Sequence, residues 1–422
     1  MTALPRHLLP DNAEVDDTGR LSIGGCDVLE LAEEFGTPLF VYDEEHLRAR
    51  CREAMAAFGE GVAYAAKAFL CTAMARLANE EGLHIDVASG GELHVVLAAG
   101  VPADRIVLHG NNKSSEELRQ ALDAGVGRIV VDSFDEMDRI EALVDEGWTA
   151  PRVLVRVTPG VEAHTHEYVR TGQQDSKFGF GLASGDAAAA VIRADGSAAF
   201  DLVGVHAHIG SQVFVADFFA EAVEVLAPFI TPLGLPELSL GGGLGVAYVV
   251  GEVAPTITDW AKAVQQACAA VGIEARPVAE PGRAIVAQAA VTLYRVGTIK
   301  EIPGIRTYVA VDGGMIDNPR PALYGSGYET FLPRATLAER PRTVTVVGKH
   351  CESGDVLVRD AAVPGDLAVG DILATPVTGA YGHSMGSNYN KLPRPPVVFC
   401  RNGEARLVVR RETYDDLLRA DL

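Results

Sequence analysis

Short apolar runs alternate with amphipathic stretches from about residue 40 to residue 290. The apolar runs are typical of buried strands, and the stretches between them have helical periodicity. Roughly eight strands, each followed by a helix, over about 250 residues is the pattern of a (β/α)8 barrel. We therefore predict such a barrel, with a doubly wound open sheet as the alternative. Strands are predicted at 62–66, 84–87, 105–108, 128–131, 152–157, 202–208, 237–240 and 277–280, and helices at 72–81, 115–124, 135–144, 217–226 and 256–271.

The pattern changes after Val291, where short β-rich runs are bounded by glycine and proline. Such runs indicate a mostly antiparallel β domain, and a strand over 20–23 could join it. We expect an N-terminal segment (1–40) that packs with the C-terminal domain, a cofactor-binding barrel (41–290) and a C-terminal β domain (291–422). The C-terminal strands are predicted at 291–299, 307–311, 343–347, 355–359, 371–375 and 405–409.

Composition limits the possible partners. Hydrophobic residues make up 48% and charged residues 22% of the chain, as in soluble globular proteins. A net charge of −21 argues against binding to nucleic acid or to an anionic membrane. The sequence has no apolar stretch long enough to span a bilayer and no signal-peptide pattern, so we expect a cytoplasmic protein. Its six cysteines form no CxxC pair, and we expect them to be reduced.

Polar residues and glycines occupy nearly every predicted carboxyl end of the barrel strands. Active sites of (β/α)8 barrels lie at this end, whereas a structural rim would not need polar groups at each strand. The pattern therefore places a candidate site there. The residues are Lys67, Asp86, His109, Ser133, Arg156, His208, Gly241, Gly242, Gly243 and Glu280.

Lys67 ends an apolar run and is followed by further apolar residues. Burial would disfavour its ammonium form and lower its pKa, and a neutral lysine amine is a good nucleophile toward aldehydes. The functional interpretation is a Schiff-base lysine. The alternative is a lysine whose ammonium group simply reaches solvent beyond the strand end.

Three further features fit a flat, anionic cofactor. The glycines at 241–243 could let a backbone approach phosphate, although a plain tight turn is an alternative. Glu280 could pair with a protonated pyridine nitrogen and Arg283 could hold an anion, or the two could form a salt bridge. Together with Lys67, these groups describe a site for pyridoxal 5'-phosphate.

The histidines are candidates for ring stacking or for metal binding. His206 and His208 point to the same side of their strand, so one could stack on a flat ring. We expect no metal there because no third ligand follows them in the sequence. The pair His164 and His166 in a loop resembles them, and we expect no metal there either.

On its motifs the chain resembles the diaminopimelate decarboxylases, which are barrel-type (fold III) pyridoxal-phosphate enzymes. The resemblance covers nearly the whole chain. One departure is Phe69, where many fold III enzymes have asparagine. The motifs are Tyr64-Ala65-Ala66-Lys67-Ala68, Asp175-Ser176-Lys177-Phe178-Gly179, His206-Ala207-His208-Ile209-Gly210-Ser211-Gln212, Gly241-Gly242-Gly243-Leu244-Gly245, Glu280-Pro281-Gly282-Arg283, Asp312-Gly313-Gly314-Met315, Arg320-Pro321-Ala322-Leu323-Tyr324-Gly325, Cys351-Glu352-Ser353-Gly354-Asp355 and Gly379-Ala380-Tyr381.

The resemblance implies decarboxylation of meso-diaminopimelate to L-lysine and carbon dioxide, the last step of lysine biosynthesis, by a homodimer. It implies that Lys67 carries the cofactor, that His208 stacks on its ring and that Glu280 pairs with its nitrogen. Cys351 would donate a proton and Glu352 would bind the distal ammonium, both from the partner subunit. The other implied cofactor residues are Asp86, Ser211, Gly241, Gly242, Gly243, Gly282, Arg283 and Tyr381, and the other substrate residues are Arg283, Arg320, Tyr324 and Tyr381.

The presence of an arginine at position 320 favours a substrate with two carboxylates. A distal carboxylate suits a planar guanidinium, whereas an enzyme acting on ornithine would need an acid at this position. Three alternatives remain open. They are another fold III decarboxylase, for ornithine, arginine or carboxynorspermidine, an amino-acid racemase, and a non-catalytic protein that binds the cofactor.

Overall fold

The structure is a computed structural model that describes residues 3–160 and 175–422. Contacts within the chain define two compact units, which we call the barrel unit and the sheet unit. The barrel unit comprises Arg50–Val246 and Ala254–Ala284, and the sheet unit comprises Met1–Ala49, Ala247–Val253 and Ile285–Leu422.

The sheet unit begins with a small antiparallel sheet in the order β1-β2-β3. The expectation that the strand at 20–23 joins the C-terminal sheet is wrong, because β2 already pairs with β1 on one side and β3 on the other. The strand that joins the large sheet from the N-terminal side is instead β4. The first elements are β1 (Ala13–Val15), β2 (Leu21–Ile23), β3 (Cys26–Asp27), α1 (Val28–Phe35), β4 (Leu39–Asp43) and α2 (Glu44–Phe58).

The barrel unit contains one parallel sheet, which confirms the predicted (β/α)8 architecture. Its strands follow the order β13-β12-β11-β9-β8-β7-β6-β5, and β10 pairs only with β9. The N–H groups of Ala63 and Ala65 donate to the carbonyl oxygens of Ala279 and Pro281, which joins the first strand to the last. The strands are β5 (Ala63–Ala65), β6 (His84–Val87), β7 (Ile106–Leu108), β8 (Arg128–Val131), β9 (Arg152–Thr158), β10 (Phe180–Gly181), β11 (Asp201–Ala207), β12 (Glu237–Ser239) and β13 (Arg276–Val278).

The apolar runs of the barrel strands are continuous in the sequence because the strands are buried on both faces. Strands of a parallel barrel are covered by helices on one face and packed against each other on the other, so neither face tolerates many polar groups. Val107, Val130, Leu154 and Val203, from four different strands, form one buried cluster. The barrel interior at this level is therefore a packed core.

Local capping signals fix the ends of the covering helices. The helix after β7 is preceded by Ser114, which forms a reciprocal capping box with Glu117, and it ends at Gly125 with φ 73°.

No helix within residues 3–160 and 175–422 is long and apolar enough to cross a membrane. The helices are α3 (Thr72–Glu80), α4 (Gly90–Ala98), α5 (Ser115–Ala124), α6 (Phe134–Asp145), α7 (Asp186–Gly196), α8 (Asp217–Ile230), α9 (Ile257–Val271) and α10 (Arg283–Val286).

The large sheet of the sheet unit has the order β17-β16-β15-β14-β4-β19-β20, with β18 also paired to β14. Two pairs, β15 with β16 and β19 with β4, are parallel, and the others are antiparallel. The predicted mostly antiparallel domain is confirmed. Its elements are β14 (Ala290–Ile302), β15 (Arg306–Val311), α11 (Arg320–Tyr324), β16 (Arg342–Val347), β17 (Val356–Val363), β18 (Ile372–Pro376), β19 (Val397–Arg401), β20 (Glu404–Val409) and α12 (Tyr414–Leu418).

Candidate active site

Glu280 is the centre of a buried polar cluster in the barrel unit. It follows β13 and is only 7% exposed. His206, from β11, donates from Nε2 to its Oε2 at 3.1 Å, and Ser239, at the end of β12, donates from Oγ to its Oε1 at 2.9 Å. Two neighbouring strands therefore fix the carboxylate that follows a third strand through both of its oxygens.

His109 lies between two buried carboxylates of this cluster. Its Nε2 is 3.3 Å from Oε1 of Glu280 and 3.7 Å from Oδ1 of Asp86. Nε2 makes no hydrogen bond to either oxygen, so both contacts are ion pairs that require a protonated imidazole. The His109 and His206 rings meet edge to face, with centroids 5.0 Å apart.

The charges in this cluster follow from the environment of each group. Burial lowers the pKa of His109, but the carboxylates of Asp86 and Glu280 raise it by more, so the net shift is upward. Burial lowers the pKa of His206 to about 4, which leaves this ring neutral. Burial would raise the pKa of Glu280, but His109 and His206 hold it well below its ordinary value. The cluster therefore presents an ionised carboxylate beside a cationic imidazole.

Asp86 has the opposite tendency to Glu280. Burial raises the pKa of Asp86, and the charges of His109 and Lys67 offset this only in part. Two carboxylates that share one cation cannot both be strongly stabilised as anions. If the cluster takes up a proton, Asp86 therefore accepts it more readily than Glu280 does.

Lys67 lies at the mouth of the same barrel, in a short 3-10 helix directly after β5. The burial assumed for it from its apolar neighbours is wrong, because Ala66 and Ala68 are fully buried while the Lys67 side chain is exposed. Its charge still acts on Asp86 and His208, which places it at their end of the barrel.

Gly282 lets the last strand pack against the first, since a Cβ at this position would lie 3.0 Å from Cβ of Ala65.

The glycine loop after β12 packs directly under His208. Gly243 has φ +112°, and a Cβ on it would lie 2.1 Å from the carbonyl oxygen of Gly210. At Gly241, with φ +63°, a Cβ would lie 2.7 Å from Nδ1 of His208. Side chains are excluded at both positions by backbone conformation and by space. Burial, followed by the charges of Lys67 and Arg156, lowers the pKa of His208, so its ring is neutral.

Arg283 and Ser211 meet beside this loop. Nη2 of Arg283 donates to Oγ of Ser211 at 3.0 Å, and the guanidinium is largely buried. The barrel unit thus gathers a lysine, a neutral histidine ring, a fixed carboxylate, a tight glycine loop and a serine with an arginine. These residues fit pyridoxal phosphate. The aldehyde, the flat ring, the ring nitrogen and the phosphate of this cofactor each require a protein group of a kind that is present here.

A second buried network supports the segment after β9. Arg156 donates from Nη1 to Oδ2 of Asp132 at 3.3 Å, and its guanidinium carbon lies 4.2 Å from the ring centroid of Phe178. The other oxygen of Asp132 accepts from the N–H of Gly179 at 2.7 Å. The Lys177-Phe178-Gly179 part of a predicted motif is therefore anchored to two barrel strands.

In the sheet unit, Arg320 is buried at the start of α11 with only 4% exposure. Its Nη1 donates to Oη of Tyr328 at 2.7 Å, and its guanidinium carbon lies 4.3 Å from the ring centroid of Tyr248. Among the described residues, no carboxylate forms an ion pair with it. An arginine buried without an acidic partner among the described residues is a candidate for binding an anion.

The remaining predicted residues of the sheet unit lie on loops and helix ends. Cys351 and Glu352 are exposed, and Asp355 anchors their loop by accepting from the N–H groups of Met315 at 2.7 Å and His350 at 2.9 Å. Tyr381 has φ +57°, a left-handed conformation that is strained for a tyrosine. Strain of this kind is concentrated at functional sites, although it does not assign a role. Tyr324 is partly exposed at the end of α11.

The sequence argument against a metal site is wrong in one respect. His109, His206 and Glu280 offer three possible ligand atoms within 4.8 Å of one another, so Glu280 supplies the third ligand that seemed missing. The second histidine of this group is His109 rather than His208. The same atoms already form hydrogen bonds and ion pairs among themselves. The loop pair His164 and His166 lies outside the described residues.

Sequence reasoning missed two residues that the structure brings into these sites, and it missed the role of a third. His109 is a polar strand end without a predicted role, and its position directly after an apolar strand is the signal that the sequence offers. Tyr248 and Tyr328 give no signal, because only folding brings both of them to Arg320.

Comparisons with known proteins agree with this chemistry. Residues 44–287 match the family described as "Pyridoxal-dependent decarboxylase, pyridoxal binding domain". The chain is 48% identical over 436 residues to the diaminopimelate decarboxylase of Mycobacterium tuberculosis, with 98% of each chain covered. It is 48% identical over 424 residues to that of Bacillus subtilis, with 96% of this chain and 95% of the relative covered.

A solved structure is similar over the same extent. The crystal structure of the diaminopimelate decarboxylase from M. jannaschii in complex with L-lysine has a TM-score of 0.90 to this chain. The two sequences are 35% identical, and 98% of each chain is covered. The similarity therefore includes both the barrel unit and the sheet unit.

Proposed function

The chain belongs to the diaminopimelate decarboxylases, within the pyridoxal-dependent decarboxylase family, and from this we infer that it converts meso-diaminopimelate to L-lysine and carbon dioxide. It is a carboxy-lyase that uses pyridoxal 5'-phosphate and forms lysine in the last step of lysine biosynthesis. The observation that best supports this activity within the chain is the buried carboxylate of Glu280, which accepts from His206 and Ser239 through its two oxygens.

Pyridoxal phosphate, when bound, supplies a protonated pyridine ring that accepts the electron pair left when carbon dioxide departs. We propose that Glu280 keeps the ring nitrogen protonated, because a carboxylate held as an anion stabilises a proton on its partner. Lys67 would bind the aldehyde carbon, and His208 would lie against the ring. Asp86 lies within the same cluster and shares the charge of His109 with Glu280.

The phosphate group fits the glycine loop and its neighbours. Backbone N–H groups that no side chain covers can approach phosphate oxygens closely, and Ser211 and Arg283 add a hydroxyl and a cation. We assign Gly282 to the same region because it lets the last strand pack against the first. The proposed phosphate-binding residues are Ser211, Gly241, Gly242, Gly243, Gly282 and Arg283.

The substrate has an amino group and a carboxylate at each end. We assign Arg320 and Tyr324 to the distal carboxylate, since the Arg320 guanidinium has no acidic partner within the described part of the chain. Glu352 suits the distal ammonium, and Arg283 and Tyr381 complete the assignments to substrate and cofactor. Decarboxylation at the other end leaves the distal carboxylate in the product.

We propose that the enzyme works as a homodimer in which each Cys351 and Glu352 serves the partner's site. Both residues are exposed on an anchored loop, as expected for groups that act on another subunit. The Cys351 thiol donates its proton to the carbon that has lost carbon dioxide, which leaves a thiolate to be reprotonated.

We also propose that the enzyme is cytoplasmic and that residues 41–290 act as the cofactor-binding domain. None of its six cysteines, all within the described residues, forms a disulfide, which is usual in a reducing compartment. The family described as a pyridoxal binding domain matches residues 44–287.

Substrate profiling tests the proposed function. Purified holoenzyme is supplied in turn with meso-diaminopimelate, ornithine, arginine and lysine, and carbon dioxide release and products are measured. We expect lysine from diaminopimelate and little release from the other three. Release from ornithine but not from diaminopimelate would contradict the proposal.

An arginine variant identifies the group that selects the substrate. Arg320→Met should reduce kcat/KM for diaminopimelate by about 10- to 150-fold, the usual effect of losing a hydrogen bond to a charged group. Arg410→Met is the matched control, because Arg410 is exposed and pairs with Asp416 on the surface. Equal effects of the two substitutions would remove Arg320 from the substrate site.

A further inference from the structure

Within residues 3–160 and 175–422, Arg320 is contacted by two tyrosines and paired with no acid. Its guanidinium carbon lies 4.3 Å from the ring centroid of Tyr248 and 5.6 Å from that of Tyr328. Both tyrosines are nearly fully buried, at 3% and 4% exposure. Aromatic faces attract a cation without neutralising it, so the charge of Arg320 remains available to an incoming anion.

The two tyrosines also fix the orientation of the guanidinium plane. Oη of Tyr328 accepts from Nη1 of Arg320 at 2.7 Å, and the two tyrosine rings meet edge to face with centroids 5.2 Å apart at 76°. Among the described residues this is the one hydrogen bond that Arg320 makes through its side chain. An arginine has five N–H donors, so most of the fork remains available for a carboxylate.

The segment that carries Tyr248 is itself held in place. Oε2 of Glu252 accepts from the N–H of Tyr248 at 2.7 Å, and Oε1 of Glu329 accepts from the N–H of Val250 at 3.1 Å. These contacts belong to the sheet unit, which contains both Ala247–Val253 and Arg320. The Tyr248 ring is therefore positioned by backbone contacts that do not involve Arg320.

The acid nearest to this site in sequence is directed elsewhere. Glu329 follows Tyr328, yet its Oε2 accepts from Nη1 of Arg340 at 3.1 Å while its other oxygen binds Val250. A carboxylate from the same chain beside Arg320 would compete with the substrate for the guanidinium. Glu329 is instead paired with Arg340.

We propose that Tyr248 and Tyr328 are positioning residues that keep Arg320 charged and oriented, so that the enzyme selects ligands with a distal carboxylate. This inference rests on the proposed function, which assigns the distal carboxylate to Arg320. It adds that selectivity for this carboxylate depends on two neutral aromatic side chains.

The test compares two ligands that differ by one carboxylate. L-lysine keeps the distal carboxylate of the substrate, and cadaverine, the decarboxylated form of lysine, has none. Competitive inhibition constants of both ligands are measured on holoenzyme, together with KM and kcat for diaminopimelate. A change in general packing would alter the constants of both ligands, whereas a change in Arg320 would alter only that of lysine.

Tyr328→Phe removes the hydroxyl and keeps the ring, Tyr248→Leu removes the aromatic face, and Tyr248→Phe is the matched control that retains it. The first two variants should raise KM for diaminopimelate and the inhibition constant of lysine by about 2- to 30-fold. Their kcat and the inhibition constant of cadaverine should stay close to wild type, because the lost interaction is equal in ground and transition states. Tyr248→Phe should change the inhibition constant of lysine much less than Tyr248→Leu does, because it keeps the aromatic face.

A double-mutant cycle completes the test. In an Arg320→Met background, Tyr328→Phe should raise the inhibition constant of lysine no further, because the group on which it acts has gone. Tyr328→Phe removes one oxygen only, so the inference stays testable if Tyr248→Leu does not fold.

Equal increases for lysine and cadaverine, or additive effects with Arg320→Met, would overturn the inference while leaving the proposed function intact. Wild-type enzyme that fails to decarboxylate diaminopimelate would instead overturn the proposed function.

Discussion

Replacing His109 with glutamine removes a cation that two buried carboxylates share. Its Nε2 lies 3.3 Å from Glu280 and 3.7 Å from Asp86. At an effective dielectric constant near 20, each pair interacts by roughly 4–5 kcal/mol, which is an upper bound on the loss. Proton uptake by one carboxyl group offsets part of this, and the loss of one charge-assisted contact costs about 1.5–3 kcal/mol. Since Glu280 would then pair less well with the ring nitrogen, we expect cofactor affinity to fall about 10- to 150-fold.

The assay is titration of apoenzyme with pyridoxal phosphate, followed by its visible absorbance, between pH 6 and pH 9. The pKa of His109 is raised, so its contribution in the wild type is complete below about pH 6.5 and disappears as the pH rises through the raised value. The variant should lack this pH-dependent step.

His84→Gln is the matched control for this titration. Burial lowers the pKa of His84 to about 4, so the substitution removes a buried histidine of the same barrel without removing a charge at neutral pH. It should leave cofactor affinity unchanged. Equal affinities of wild type and His109→Gln across the pH range would refute the role assigned to the cation.

Three further predictions concern other parts of the molecule. Burial raises the pKa of Asp317 to about 7, so the native state binds more protons than the unfolded state between about pH 4 and pH 7, and the free energy of unfolding falls as the pH rises. Chemical denaturation measures this free energy for Asp317→Asn and for wild type. The free energy of unfolding of the variant should rise by about 2 kcal/mol relative to that of wild type from pH 5 to pH 7, and a difference that does not change with pH would contradict this. Gly243→Ala should abolish cofactor binding, whereas Gly147→Ala, at the same φ of +112° but with open space, should lower only the melting temperature; similar effects would disprove the packing argument. Mixing inactive Lys67→Ala and Cys351→Ala subunits should restore decarboxylation if Cys351 acts across the dimer, and no recovery would show that it acts within its own chain.

The barrel is predictable because its strands are buried on both faces. Continuous apolar runs such as 128–131 are confirmed as strands, and the helix predicted at 115–124 is confirmed at the same residues. The capping box of Ser114 with Glu117 and the glycine at position 125 fix that helix locally. Local signals of this kind are sufficient where secondary structure depends on neighbouring residues.

Pairings between distant segments are less predictable. The strand β19 follows a proline-rich stretch and is absent from the predicted strands, and β4 pairs with β14 and β19 of the C-terminal sheet rather than with the barrel. The apolar run before Lys67 indicates a strand but does not show that the side chain emerges beyond it. A shift of the strand end by one residue decides whether a long side chain such as that of Lys67 is buried or exposed.

The candidate site shows the same division. The position of Lys67, His208 and Glu280 at strand ends is enough to group them from the sequence pattern alone, because carboxyl ends of parallel strands meet at one end of a barrel. The pattern does not show that His109 lies against Glu280 or that two tyrosines cover Arg320. Those contacts depend on side-chain directions, which the sequence pattern does not specify.

The most direct measurement is the location of the bound cofactor on the chain. Holoenzyme is reduced with borohydride, digested, and its peptides are analysed by mass spectrometry for a covalently attached phosphopyridoxyl group. We predict that the label lies on Lys67, and that Lys67→Ala carries no label and has no visible absorbance. A label on any other lysine, or decarboxylation by a protein that carries no cofactor, would contradict the account.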